Sequence, residues 1–152
     1  MKRIRRTVRD EKRAADAEAL LAGVLPEMGK LLWRKKARNI VGLDLRKIVF
    51  YTDFVVVASG SSDRHVKGLY KEMLKFAKDQ GLSAPKCEGE DLGRWVLMDF
   101  GDIVVHLFHE PLRELYDLDR LWAEAPRIPL VTEKTPLQVK PAEDEPDPWQ
   151  DD

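Results

Sequence analysis

The chain has 152 residues, of which 43% are hydrophobic and 35% are charged, and its formal net charge at pH 7 is −1. This length and composition predict one domain with a substantial core, and the balanced charge excludes an overall attraction to nucleic acid. Cys87 is the single cysteine, which excludes an intramolecular disulfide, and no apolar run approaches the roughly 20 residues that span a bilayer. We therefore expect a cytoplasmic protein.

Charge is segregated at the two ends of the chain. Residues 1–13 hold seven basic and two acidic side chains, and residues 142–152 hold six acidic side chains and no basic one. Six prolines lie between residues 126 and 152. Charge blocks and dense prolines are typical of solvated, irregular segments. The sequence therefore predicts a basic arm at 1–13, a folded domain at 14–125 that includes an N-terminal helix, and an acidic, proline-rich tail at 126–152.

The first half of the domain alternates between helical and strand patterns. Apolar residues recur at helical intervals over 14–36, with Pro26 placed to start a second helix at its first turn. Residues 39–45 read as a first strand, and the apolar run at 51–58 predicts a central strand that is buried on both faces. The polar turn at 59–63 then offers N-cap residues for a helix over 64–80.

The second half is predicted to hold a hairpin and a last helix. Residues 84–87 form a candidate short strand, and 93–100 and 103–108 flank a Gly-Asp turn. Residues 111–122 carry leucines at helical spacing and predict one continuous helix.

An acidic region surrounds the first strand of this hairpin. Between Glu88 and Asp119 the chain carries nine carboxylates and two arginines. Strand alternation places Trp95, Leu97 and Asp99 on one face. An apolar anchor with an acidic rim is the composition of a docking surface for a basic protein, although Trp95 fits a core tryptophan equally well. The predicted partner-binding residues are Trp95, Leu97, Asp99, Glu88, Glu90 and Tyr116.

Catalytic and metal sites are weakly supported. His106 and His109 fall on opposite faces of a strand, which disfavours a shared metal ion. Gly60, Ser61 and Asp63 follow a buried strand and faintly resemble the turn of a nucleotidyltransferase. That chemistry needs two carboxylates that chelate one metal, and the D-x-D at 117–119 lies on a predicted helix whose alternate positions diverge. We expect no cofactor, no metal and no catalysis.

Four blocks of the chain, 39–45, 52–66, 88–108 and 113–122, together resemble the ribosomal silencing factor family, also called Iojap. The match covers roughly residues 37 to 124. It implies an α/β fold, with a single mixed sheet, flanking helices and a nucleotidyltransferase-like topology without the catalytic carboxylates.

The resemblance also implies a function. Members bind the large ribosomal subunit through its fourteenth ribosomal protein, block joining of the small subunit and repress translation under nutrient limitation. It implies a possible homodimer, and the basic arm suggests a minor contact with ribosomal RNA. The alternative is a nucleotidyltransferase-like enzyme that uses Gly60, Ser61 and Asp63.

Overall fold

The computed structural model describes residues 8–49 and 51–130. Six strands form one sheet in the order β3-β4-β5-β2-β1-β6, in which β2 and β5 are parallel and every other pair is antiparallel. The predicted mixed-sheet α/β domain with flanking helices is therefore confirmed. The helices are α1 (Val8–Ala19), α2 (Leu25–Arg34), α3 (Asp63–Asp79), α4 (Glu110–Tyr116) and α5 (Leu118–Leu121), and the strands are β1 (Arg38–Asp44), β2 (Phe54–Gly60), β3 (Lys86–Glu88), β4 (Trp95–Asp99), β5 (Ile103–His109) and β6 (Arg127–Ile128).

A π-helical turn, Leu20–Val24, joins α1 to α2. In it the Leu25 amide donates to the Leu20 carbonyl, and Pro26 lies in the first turn of α2. Proline lacks an N–H and its ring crowds the carbonyl four residues earlier, so the wider turn accommodates it without ending the helical path. The predicted second helix beginning at Pro26 is confirmed. Residues 8–13 belong to α1, so the predicted arm is wrong for these residues, and residues 1–7 lie outside the described part.

Helices α2 and α3 cover one face of the sheet and form the first core. Met28, Leu69 and Met73 are at most 1% exposed, and they belong to one cluster with inward side chains of β2, β4 and β5. Every residue of β2 is buried, as the apolar run predicted for a central strand. This face is closed by apolar packing along two long helices.

The segment that contains α4 and α5 covers the other face and forms a second, smaller core. Leu43, Val55 and Phe108 point into it from the sheet, and Leu118 closes it from α5. The predicted continuous helix over 111–122 is wrong because Asp117 adopts a left-handed conformation with φ 47° and separates two short helices. Aspartate tolerates this conformation better than most residues. The break buries Leu118 and leaves Leu115 exposed.

Residues 126–130 also differ from the prediction. Strand β6 pairs with β1, and Leu130 is 5% exposed in the first core. Leu130 fits because Gly29 and Gly42 have no side chains, since a Cβ on either would lie 2.8 Å from it. The two prolines that flank β6 are tolerated because β6 is a two-residue strand at the edge of the sheet. The rest of the predicted tail, 131–152, lies outside the described residues.

Candidate docking surface

The strand β4 divides its side chains between the two cores as alternation predicted. Val96 and Met98 are buried in the first core, whereas Trp95 and Leu97 pack against the second. Glu88 lies directly across from Leu97 in the β3–β4 register and therefore shares its face. Three of the predicted partner-binding residues, Trp95, Leu97 and Glu88, are thus brought together.

Trp95 lies in an aromatic cluster formed by Trp95, His106, Phe108, Tyr116 and Trp122. Its ring centroid is 4.9 Å from that of Phe108 and 4.8 Å from that of Tyr116. Trp95 is half-buried, and Tyr116 is 51% exposed. Trp95 therefore has features of both a core tryptophan and an interface anchor, because its ring packs on the second core and also borders solvent.

His106 lies beneath Trp95. The indole Nε1 of Trp95 donates a hydrogen bond to His106 Nδ1 over 3.1 Å. Burial lowers the pKa of His106 to about 4, so the imidazole is neutral at pH 7 and Nδ1 is free to accept. The residue pattern places His106 on a strand but does not indicate this pairing.

Two exposed apolar side chains neighbour members of the aromatic cluster in the sequence, since Leu115 precedes Tyr116 and Leu121 precedes Trp122. Leu115 is 73% exposed and Leu121 is 68% exposed, although large apolar side chains usually lie inside. Glu114 precedes Leu115 and Asp117 follows Tyr116, and both of these acidic side chains are exposed. We define the docking surface as Trp95, Leu97, Leu115, Tyr116 and Leu121, together with the acidic residues Glu88, Asp99, Glu114 and Asp117. Sequence periodicity missed Leu115 and Leu121, which it placed on an inward face.

The two remaining predicted residues, Glu90 and Asp99, lie in different places. Glu90 lies close enough to Tyr70 and Cys87 to raise the pKa of each, in addition to the larger effect of burial. Both of those side chains pack against the first core, on the opposite face of the sheet from Trp95. Asp99 keeps the face predicted for it, and its carboxylate also accepts from the Gly101 amide over 2.8 Å in the hairpin turn. Glu90 is therefore not grouped with the docking surface.

A buried arginine holds α4 against the sheet. Arg113 is 5% exposed, and its guanidinium donates to Ser59 Oγ over 3.0 Å and to the Asn39 carbonyl. Asn39 has φ 50° at a register shift in β1, where the ladder leaves backbone carbonyls without a strand partner. Arg113 thus satisfies the irregular part of β1 and anchors the helix that carries Tyr116.

The turn considered for nucleotidyl transfer is occupied by its own helix cap. Ser62 Oγ accepts from the His65 amide over 3.0 Å, and the Ser61 amide donates to His65 Nδ1 over 2.9 Å. A Cβ on Gly60 would lie 2.8 Å from Val66, so the strand end is closed against α3. Asp63 lies 3.0 Å from His109 Nδ1. These contacts account for the turn as a helix start, as the simpler interpretation predicted.

The described part of the chain also lacks two kinds of feature. Residues 8–49 and 51–130 contain no group of three or more His, Cys, Asp or Glu side chains arranged to hold a metal ion. None of the helices in this part is long and apolar enough to cross a membrane.

Known proteins match most of the chain. The sequence model described as "Ribosomal silencing factor during starvation" matches residues 15–152. A ribosomal silencing factor from Halalkalibacterium halodurans is 40% identical over 96 residues, which cover 63% of this chain and 82% of that protein. A mouse protein named "Mitochondrial assembly of ribosomal large subunit protein 1" is 37% identical over 95 residues, covering 60% of this chain and 42% of its own.

A solved structure agrees with the fold. The crystal structure of a Chromobacterium violaceum protein is 31% identical, covers 76% of this chain and 94% of its own, and superposes with a TM-score of 0.62. The match of the sequence model is longer than the 37–124 range that the residues indicated, because it takes in α2 and the C-terminal segment. On these grounds the chain belongs to the ribosomal silencing factor family.

Proposed function

We propose that this ribosomal silencing factor binds the large ribosomal subunit through its fourteenth ribosomal protein, and that it thereby blocks joining of the small subunit and represses translation when nutrients are scarce. The observation that carries the proposal is the half-buried aromatic cluster around Trp95 and Tyr116, which has exposed apolar and acidic side chains next to it in the chain. The name of the mouse relative refers to the large subunit, which supports the choice of partner. We place this action in the cytoplasm.

The composition of the docking surface suits a basic protein partner. Aromatic side chains in a packed centre supply most of the binding energy in typical interfaces, and a polar rim excludes water around them. Trp95 and Tyr116 occupy the centre here, and Glu88, Glu114 and Asp117 provide negative charge at the rim. Ribosomal proteins are generally basic, so the charges of the two surfaces are complementary.

A steric block requires occupancy and no chemistry. Inhibition of subunit joining is then expected to be stoichiometric with large subunits, reversible, and independent of added nucleotide or metal. The enzyme alternative requires the turn at Gly60, Ser61 and Asp63 to bind a nucleotide. The Ser61 amide and the Ser62 hydroxyl are already engaged with His65, which disfavours that alternative.

The first experiment is sedimentation of the protein with isolated large subunits. Replacing Trp95 with alanine is expected to weaken binding by about 2–4 kcal/mol, as for an interface anchor. Trp33→Ala is the matched control, because Trp33 is another half-buried tryptophan but lines a groove beside β1 with Arg38 and Ile40. Equal loss of binding in the two variants, each checked for folding by circular dichroism, would count against the docking surface.

The second experiment tests the steric block by order of addition. The protein is mixed either with separated subunits or with preformed ribosomes, and joining is followed by light scattering. Separated subunits are expected to be inhibited in proportion to occupancy, and preformed ribosomes are expected to resist because their joining surface is covered. Inhibition far below one protein per large subunit that persists after its removal would indicate covalent modification.

Two further partners are proposed, one from the family resemblance and one from the charge of the N-terminus. The resemblance implies a homodimer as a second state of the chain, and concentration-dependent sedimentation tests it. The basic arm at residues 1–13, of which 8–13 lie in α1, is proposed to make a minor contact with ribosomal RNA. Deleting 1–7 is expected to leave α1 intact and to reduce large-subunit affinity only slightly.

A further inference from the structure

Among the described contacts, one side chain of the docking surface forms a hydrogen bond with a buried side chain. That side chain is Trp95. Its indole N–H is directed inward to His106 Nδ1, at 3.1 Å, and not outward to a partner. Leu97, Leu115 and Leu121 have no polar side-chain group at all. The orientation of Trp95 is therefore fixed from inside the protein, before any partner arrives.

The acceptor is itself held rigidly. His106 is 6% exposed on β5, and its backbone lies in register between Leu97 of β4 and Val57 of β2. Its ring also approaches Phe108 and Trp122, with centroids 6.2 Å and 5.8 Å away. A neutral imidazole that accepts at Nδ1 carries its proton on Nε2, so the hydrogen bond requires one specific tautomer.

Taken together, we infer that His106 is a positioning residue for docking, and that its Nδ1 holds the Trp95 indole in the orientation that the partner recognises. The inference rests on the proposed function. A freely rotating indole loses side-chain entropy when it is immobilised at an interface, whereas an indole fixed in advance loses less. His106 therefore contributes to affinity without touching the partner.

Asparagine and leucine provide a matched pair of replacements. Both have the branched shape of the near side of the imidazole, but only asparagine can place an acceptor oxygen close to the position of Nδ1. His106→Leu is expected to weaken large-subunit binding about five- to tenfold, the worth of one hydrogen bond. His106→Asn is expected to remain within about threefold of the parent protein.

A double-mutant cycle separates positioning from general damage. In a Trp95→Phe background no indole N–H remains, so adding His106→Leu is expected to change the affinity by less than about twofold. A further five- to tenfold loss in that background would overturn the inference, because His106 would then act independently of Trp95. Unchanged binding of His106→Leu, in a preparation where Trp95→Ala abolishes binding, would also overturn it.

A spectroscopic measurement tests the inference without the ribosome. Long-range ¹H–¹⁵N correlation spectra of the parent protein are expected to show His106 with an unprotonated Nδ1 and a protonated Nε2. The Trp95 indole proton is expected to be shifted downfield, and to stay so in His106→Asn. Protonation at Nδ1 would overturn the inference even if His106→Leu cannot be purified folded. Failure of the parent protein to bind large subunits, with this tautomer present, would instead refute the proposed function.

Discussion

The two faces of the sheet are closed by different means. On one face, Met28, Leu69 and Met73 are at most 1% exposed beneath two long helices. On the other face, α4 and α5 leave Leu115 73% exposed and Tyr116 51% exposed. The first face supplies a sealed core, and the second combines a small core with apolar surface that remains available to a partner. Stability and docking are thus assigned largely to opposite faces.

The helices on the two faces also depend on different contacts. Helix α3 has 17 residues and a continuous buried stripe, whereas α4 has seven residues and α5 has four. Helices this short are not stable on their own in water and require tertiary contacts. For α4 an important contact is polar, because Arg113 reaches through to Ser59 and Asn39. The docking surface therefore depends on a buried guanidinium as well as on its apolar packing.

The face covered by α2 and α3 is called the sealed face, and the face covered by α4 and α5 is called the open face. The largest expected effect is a loss of stability from a substitution in the sealed face. Replacing Met73, which is fully buried in the first core, with alanine is expected to lower the free energy of unfolding by about 2–5 kcal/mol. Leu115→Ala, on the open face, is expected to stay within about 0.5 kcal/mol of the parent. Chemical denaturation measures both. Similar losses in the two variants would mean that the faces do not differ as described.

The next largest effect concerns the one strongly buried histidine of the open face. The folded-state pKa of His106 is about 4, below its ordinary value of 6.5. Between pH 6.5 and pH 4 the His106 side chain of the unfolded chain binds a proton that the folded chain does not bind. The contribution of neutral His106 to the free energy of unfolding is therefore fully present above pH 6.5 and is lost as the pH falls to 4. The expected loss is about 3 kcal/mol.

His106→Asn is the control for this pH dependence. All other ionisable groups are common to the two proteins, so the difference between the two stability curves isolates His106. A parent curve that declines no more than that of His106→Asn between pH 6.5 and 4 would contradict the burial of a neutral imidazole.

A smaller loss is expected when the polar anchor of α4 is weakened. Arg113→Lys keeps the charge, but its shorter side chain ends before the position of Nη1, the nitrogen that donates to both Ser59 and Asn39. The free energy of unfolding is therefore expected to fall by about 1.5–3 kcal/mol. Ser59→Ala removes one acceptor and is expected to cost about 1 kcal/mol. Large-subunit affinity is expected to fall in Arg113→Lys, because α4 carries Tyr116. Unchanged stability and affinity in Arg113→Lys would show that apolar packing alone holds α4.

The smallest effect distinguishes the acidic residues of the two faces. Glu88→Gln is expected to slow association with large subunits about two- to threefold at low salt, and less at high salt. Glu90→Gln is the matched control, because the charge of Glu90 raises the pKa of Tyr70 and Cys87, which pack on the opposite face. Stopped-flow measurements across a salt series decide the matter. Equal rates for the two variants would remove electrostatic steering by this rim.

The sealed face could be predicted from the sequence, and the open face only in part. The apolar run of β2 and the stripe of α3 have strong periodicity, and the structure confirms both. Alternation along β4 correctly separated Trp95 from Val96 because each strand residue has only two possible sides. These features could be predicted because each depends only on residues that are neighbours in the sequence.

The features that escaped prediction depend on contacts between distant residues. The break at Asp117 follows from burying Leu118 against the sheet, and the leucine spacing alone favoured one continuous helix. The Trp95–His106 hydrogen bond joins residues whose partnership only the β4–β5 register reveals. The prolines around Leu130 favour an irregular tail in the sequence. Its core position depends on Gly29 and Gly42, which are distant in the chain and leave room for its side chain.

Binding of the large ribosomal subunit is proposed for the face of the sheet covered by α4 and α5, and a matched pair of tyrosines distinguishes this face from the rest of the molecule. Tyr116 is 51% exposed on α4, and Tyr51 is 59% exposed before β2, at the opposite end of the sheet. The measurement is the equilibrium affinity of each alanine variant for isolated large subunits. We expect a loss of about 2 kcal/mol for Tyr116→Ala and of less than about 0.5 kcal/mol for Tyr51→Ala. Parent-like affinity of Tyr116→Ala, or an equal loss for both variants, would contradict it.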